Sequence, residues 1–269
     1  MIAKEWYETR FRSQLALIDD ALAYARRLGE RQWEVVFSVG RLSGLDFAGR
    51  WDEAVAGAEA IEDYATLEFQ RGLLLAVVPV YARRGDYSTA RDLLERHRDV
   101  AHSGNAEFGA TFHAVDAIVL AAEGRHDDAY QAALRTLEPE IEAAWWLYFH
   151  CAEVACDLPV GPPSHDLLRR IEQFASGKRW RAVDAQLARL RSRFPEFDAI
   201  AELETAERVF RELEAPYYVA VMQADRASHL AAAGDTDEAQ QLVAEARETF
   251  ERLGAAPYLA ALGRERAVA

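Results

Sequence analysis

The phrase Gly-x-x-x-x-Ala recurs four times in this 269-residue chain, and its spacing narrows the folds open to it. The copies are Gly49-Arg-Trp-Asp-Glu-Ala54, Gly85-Asp-Tyr-Ser-Thr-Ala90, Gly124-Arg-His-Asp-Asp-Ala129 and Gly234-Asp-Thr-Asp-Glu-Ala239. Their glycines are 36, 39 and 110 residues apart. The last interval is close to three further steps of about 37, and a period in the 30s or 40s marks stacked helical hairpins. A single hairpin cannot bury its apolar face alone, so neighbours must cover it. Apolar residues between the copies recur at three and four and do not alternate, so no segment reads as a strand.

Four hairpins follow from the phrases: 31–48 with 51–65, 67–84 with 87–101, 106–123 with 126–138, and 216–233 with 236–253. The glycine suits a left-handed turn, which is cheap only without a Cβ. Asp86 and Asp235 are placed to cap the second helices. Asp52, Glu53, Asp127, Asp128, Asp237 and Glu238 favour the positive helix start. The alanine one turn on lets two helices approach closely. Residues 14–29 and 256–267 read as further helices at the two ends, the first paired with a short segment over 2–11. Between 139 and 215 the phrase is absent, but helices are expected over 141–157, 165–176 with Ser164 as its cap, 179–194 and 197–213, with Pro195 at a helix start. The run Asp157-Leu-Pro-Val-Gly-Pro-Pro163 is the clearest interruption, either a packing irregularity or a boundary between two sub-arrays near 157–164.

These features resemble tetratricopeptide repeats, whose consensus has a Gly-Asp-Tyr-x-x-Ala turn at its middle. Tyr87 and Trp51 supply the turn aromatic; Ala117 and Ala227 match the small residue of the first helix. Leu45, Tyr81, Leu120 and Leu230 match the larger packing residue, while Leu42 and Val78 depart from the small site. The long, degenerate repeats are similar to the C-terminal helical regions of bacterial STAND-type ATPases joined to class III nucleotide cyclases, and of LuxR-type activators. The stretches that carry this are Ala21–Gly29 with the Gly49 phrase, and Ala215-Pro-Tyr-Tyr218 with the Gly234 phrase and Ala246–Pro257. The resemblance implies an all-α superhelix, a solenoid of about six to seven antiparallel helix pairs forming one domain over 1–269. It also implies a segment of a larger signalling or transcription-regulating protein.

Composition narrows the partners. A net charge of −14 argues against nucleic acid as the main ligand, which wants clustered Lys and Arg. No window has the roughly 18 uninterrupted apolar residues of a membrane span. Cys151 and Cys156 sit five apart in one helix, about 140° around its axis, which disfavours a disulfide and fits a reduced, cytoplasmic setting.

Chemistry is sparse. Ser176-Gly-Lys-Arg179 lacks the upstream glycine and following Ser or Thr of a phosphate loop, and His97-Arg-Asp99 lacks every companion motif of a kinase. His97 reads as a surface residue. His113 with Asp116, and His150 with Glu153, share helix faces but offer only two ligands each. The expectation is a chain without catalytic residues, metal or cofactor, although a parent protein could carry ATPase or cyclase activity elsewhere.

Partner-binding candidates come from helix geometry. Trp146, His150 and Glu153 fall with Glu142 within an arc of about 80°. Tryptophan is enriched at binding hot spots, whereas the plainer reading has Trp146 covering the adjacent repeat. Arg41, Asp116 and Arg226 occupy a first-helix site where leucine is usual, and serve either local ion pairs or a groove that receives acidic groups. The lysine–asparagine clamp of chaperone-binding tetratricopeptide domains is not matched: Lys4, Lys178 and Asn105 lie elsewhere, and Leu75, Pro79, Ala114 and Ile118 stand at the groove sites. An apolar groove of this kind suits a protein or peptide, such as an amphipathic helix or another domain of the same polypeptide. The function expected is a non-catalytic protein-interaction and regulatory scaffold; the alternative is a sensor that encloses a peptide or small-molecule effector.

Overall fold

The computed structural model describes residues 11–60, 66–139, 141, 144–174 and 180–268. Among these, every regular element is helical: α1 (Phe11–Leu28), α2 (Arg31–Phe47), α3 (Trp51–Glu59), α4 (Leu67–Arg84), α5 (Tyr87–Arg96), α6 (Ala106–Ala122) and α7 (His126–Leu137). They continue as α8 (Trp145–Asp157), α9 (Pro162–Phe174), α10 (Arg181–Arg191), α11 (Ala199–Glu212), α12 (Pro216–Ala233), α13 (Thr236–Leu253) and α14 (Ala256–Val268). The proposed segment 2–11 falls almost wholly outside the described residues, as do Lys4, Lys178, Glu142 and most of the 176–179 string.

The phrase works at the turns as its chemistry requires. Gly49, Gly85, Gly124 and Gly234 all have φ between +68° and +93°. The alanines that follow, Ala54, Ala90, Ala129 and Ala239, are buried against the partner helix. Asp86 accepts a hydrogen bond from the Thr89 amide and Asp235 one from the Glu238 amide, satisfying donors that a helix start leaves unpaired. Where the phrase is missing before α12, Glu214 takes the left-handed conformation itself, at φ 56°.

Several local expectations change. Ser164 does not cap a helix at 165; α9 starts at Pro162, and the buried Ser164 hydroxyl instead accepts from the Gly161 amide at 3.1 Å. Pro195 lies in the turn before α11, whose cap is Asp198, accepting from the Ala201 amide. Asn105 is more than linker: it caps α6 by accepting from the Glu107 and Phe108 amides. His97 is 6% exposed at the end of α5, so it is not a surface residue.

Consecutive helices pair, and the pairs associate in a regular order. α2, α4, α6, α8 and α10 touch one after another, while α3, α5, α7 and α9 each pack on their own partner and on the next member of that row. α11 bridges α10 and α12 in the same way, and α13 bridges α12 and α14. The order therefore runs unbroken through the segment where the phrase is absent. One apolar cluster extends from Leu42 to Leu262.

The far end of the chain returns to the beginning, with α14 packed on α4. A Cβ added at Gly49 would come within 2.8 Å of Pro216 Cγ, and one at Gly85 within 3.2 Å of Pro257 Cγ. The first two turns thus lie beneath the starts of α12 and α14. Arg84 Nε donates to the Leu253 carbonyl across the same junction at 3.1 Å. Helix α8 lies in the middle, buried at every position from Leu147 to Cys156. The surface of 12603 Å² is near the roughly 11,700 Å² expected of a compact 30.2 kDa chain. The apolar groove expected along the inner row is therefore occupied by the chain itself, and Pro79, Ala114 and Ile118 are buried.

Candidate interaction site

The seven residues singled out by helix geometry separate into three settings. Arg41, Asp116 and Arg226 make local ion pairs with neighbouring helices. Arg41 bonds Asp19 of α1 at 2.7 Å, Asp116 receives Arg91 of α5 at 2.7 Å, and Arg226 joins Glu207 of α11 at 2.6 Å and Glu238 of α13 at 2.8 Å. Each charge at the usual leucine site is thus met by an opposite charge on an adjoining helix.

Trp146 and Leu75 lie at the edge of the row, both half-buried against the core. Trp146 is the second residue of α8, beside Arg71 near the start of α4 and Phe108 near the start of α6. The Arg71 guanidinium sits 5.8 Å from the Trp146 ring centre and 5.4 Å from that of Phe108, with Glu107 at 3.3 Å. This brings an arginine between two aromatic faces, a favourable electrostatic contact. Burial is the main cause that lowers the Arg71 pKa from its ordinary value, against the pull of Glu107 and Glu68. The Trp146 indole N–H and the Arg71 Nε–H are both sheltered from water without a hydrogen-bond acceptor. Helix geometry found Trp146 but not Arg71, which is distant in sequence.

His150 and Glu153 do not share that surface; each is 3% exposed. They belong to an ion cluster at the centre of the molecule, built around Arg83 near the end of α4. Arg83 Nη1 donates to both Asp46 oxygens at 2.9 and 3.1 Å. Its Nε donates to Glu153 Oε1 at 3.2 Å, and Nη2 to the two Glu153 oxygens at 3.0 and 3.1 Å. Nη2 also donates to the Tyr218 hydroxyl of α12, and His150 Nδ1 lies 3.2 Å from Glu153 Oε2. Four helices, α2, α4, α8 and α12, therefore meet at one guanidinium.

Two carboxylates share that guanidinium, and the environment separates them. Burial raises the Asp46 carboxyl pKa from its usual value, Arg83 opposes this, and the Glu153 charge adds to the rise. Burial would also raise Glu153, but Arg83 together with the His150 hydrogen bond outweighs it and holds that carboxyl at about 2. Asp46 is accordingly where the second negative charge is most easily neutralised. The cluster satisfies itself, as an interior ion network must to be tolerated. The signal for it in the sequence was an arginine and an aspartate within otherwise apolar helix ends, which spacing alone does not connect.

Elsewhere, burial raises the Cys151 thiol well above its ordinary range and pushes Cys156 up to about 12, so neither is a ready nucleophile. Among the described residues there is no group of three or more metal-ligand side chains, and no helix is long and apolar enough to cross a membrane. Comparison with protein-family models and with curated proteins finds no match to this chain.

Proposed function

We propose that this chain is a non-catalytic protein-interaction and regulatory module of the helical-repeat type, a tetratricopeptide-like superhelix drawn closed, acting within bacterial cytoplasmic signalling. The observation that carries the reading is the face formed by Trp146, Arg71 and Phe108. It combines a half-buried tryptophan, an arginine between aromatic rings and two unbonded N–H donors, the residue types that dominate binding hot spots. Because the row's inner side is taken up by α8 and by the returning C-terminal helices, a partner is better met at this edge. The partner is a protein or peptide segment. The titratable groups gathered deep in the fold satisfy one another, which is the behaviour of a structural cluster and supports a non-enzymatic role. A sensor enclosing its effector is less well supported, because α8 fills the space such a pocket would need.

The test compares proteins retained from native lysate by the wild-type chain with those retained by Trp146→Ala and Arg71→Ala. The proposal predicts that specific partners are lost with both variants while the variants keep their cooperative melts. An unchanged partner list contradicts it.

A further inference from the structure

The start of α12 fills a seat whose walls belong to α2, α4, α8 and the first turn. Pro216 covers Gly49, where an added Cβ would come within 2.8 Å of the ring. Tyr217 packs on Trp51 at 5.3 Å between ring centres, and the Arg83 guanidinium lies 4.7 Å from its ring. Tyr218 packs on Phe47 at 5.7 Å and edge-on to Phe149 at 5.2 Å, and its hydroxyl accepts from Arg83.

The walls hold together without this occupant. Both carboxylates bound by Arg83 come from α2 and α8, so withdrawing α12 leaves the guanidinium paired and returns only a phenol hydroxyl to water. What the occupant contributes is a pyrrolidine ring and two phenols. That is the relation of a receptor to a bound segment.

We propose that Gly49, Trp51, Phe47, Arg83 and Phe149 form a recognition site for a helix start carrying proline followed by two aromatic residues. Residues 215–218 occupy it in cis as a built-in competitor, and a partner segment of the same chemistry takes the site when they are displaced. A hydrogen-bonding hydroxyl at the second aromatic position, aimed at Arg83, gives the site its preference for tyrosine. This site is separate from the Trp146 face, and neither depends on the other.

The experiment titrates a synthetic peptide of sequence 215–233 into full-length wild type and into the Pro216→Ala, Tyr218→Ala double variant, followed by calorimetry. The variant is expected to bind the peptide saturably. Wild type should bind at least about tenfold more weakly, since apparent affinity falls with the fraction of molecules whose site is open. A peptide with alanine at both of those positions should lose binding to the variant. Lack of saturable binding by the variant, equal affinity in the two proteins, or undiminished binding of the altered peptide overturns the proposal. If the double variant loses its cooperative melt, full-length Tyr218→Phe replaces it and is judged by the same outcomes.

Discussion

Gly49 and Gly124 adopt nearly the same backbone conformation, φ +68° and +77°, yet their surroundings differ. A Cβ at Gly124 meets nothing within 4 Å, whereas one at Gly49 meets Pro216 at 2.8 Å and Leu253 at 3.3 Å. Gly124→Ala should therefore cost only the left-handed strain, about 1 kcal/mol. Gly49→Ala should cost clearly more in urea denaturation. Pro216→Ala should recover part of the loss in the Gly49→Ala background and none in the Gly124→Ala background. Equal costs for the two glycines would contradict the closed junction. The Arg83 cluster makes a second residue-scale prediction. Removing one partner of a buried ion pair typically costs about 3–5 kcal/mol, and Glu153→Gln should fall in that range at neutral pH. Because the folded Glu153 carboxyl is held at about 2, below its ordinary 4.5, the stability it contributes is present above pH 4.5 and is lost as pH falls from there toward 2. The gap between wild type and Glu153→Gln should narrow over that window. Asp46 has the opposite sign: its raised carboxyl is penalised as pH rises through its folded value, so Asp46→Asn should cost less than Glu153→Gln at neutral pH. Urea titrations at several pH values check both, and a costlier Asp46→Asn would reverse the assignment.

At the scale of elements, the repeated phrase made α4, α6, α12 and α13 legible nearly to the residue, because glycine turns and aspartate caps are local chemistry. Asp86→Ala and Asp235→Ala should each lose about 1 kcal/mol, as should Asn105→Ala at the start of α6. Thermal melts measure this, and a neutral Asn105→Ala would remove that cap from the account. Placement of whole faces was less legible. Helix geometry put Trp146, His150 and Glu153 on one arc, but α8 is buried around nearly its whole circumference, so its arcs carry no sign of inside or outside. Trp146 reached the edge only because it stands in the first turn. The charges Arg41, Asp116 and Arg226 were identifiable as unusual, while their partners Asp19, Arg91 and Glu207 required the packing of neighbouring helices. His97 was misplaced because the end of α5 turns it inward.

For the whole molecule, the stacking of hairpins was legible and its closure was not. The motif Ala-Pro-Tyr occurs at Ala215–Tyr217 and again at Ala256–Tyr258, and each proline lands on a glycine turn of the first half, Pro216 on Gly49 and Pro257 on Gly85. That pairing joins positions more than 160 residues apart, and single-sequence periodicity holds no information at that range. Closure brings α14 onto α4 and leaves the edge around Trp146 as the face offered outward. Small-angle X-ray scattering of the wild-type chain measures the closure most directly. A closed, compact arrangement of this length predicts a radius of gyration of about 18 Å and a single-peaked, near-symmetric distance distribution. A clearly larger radius with an elongated, tailing distribution would contradict it.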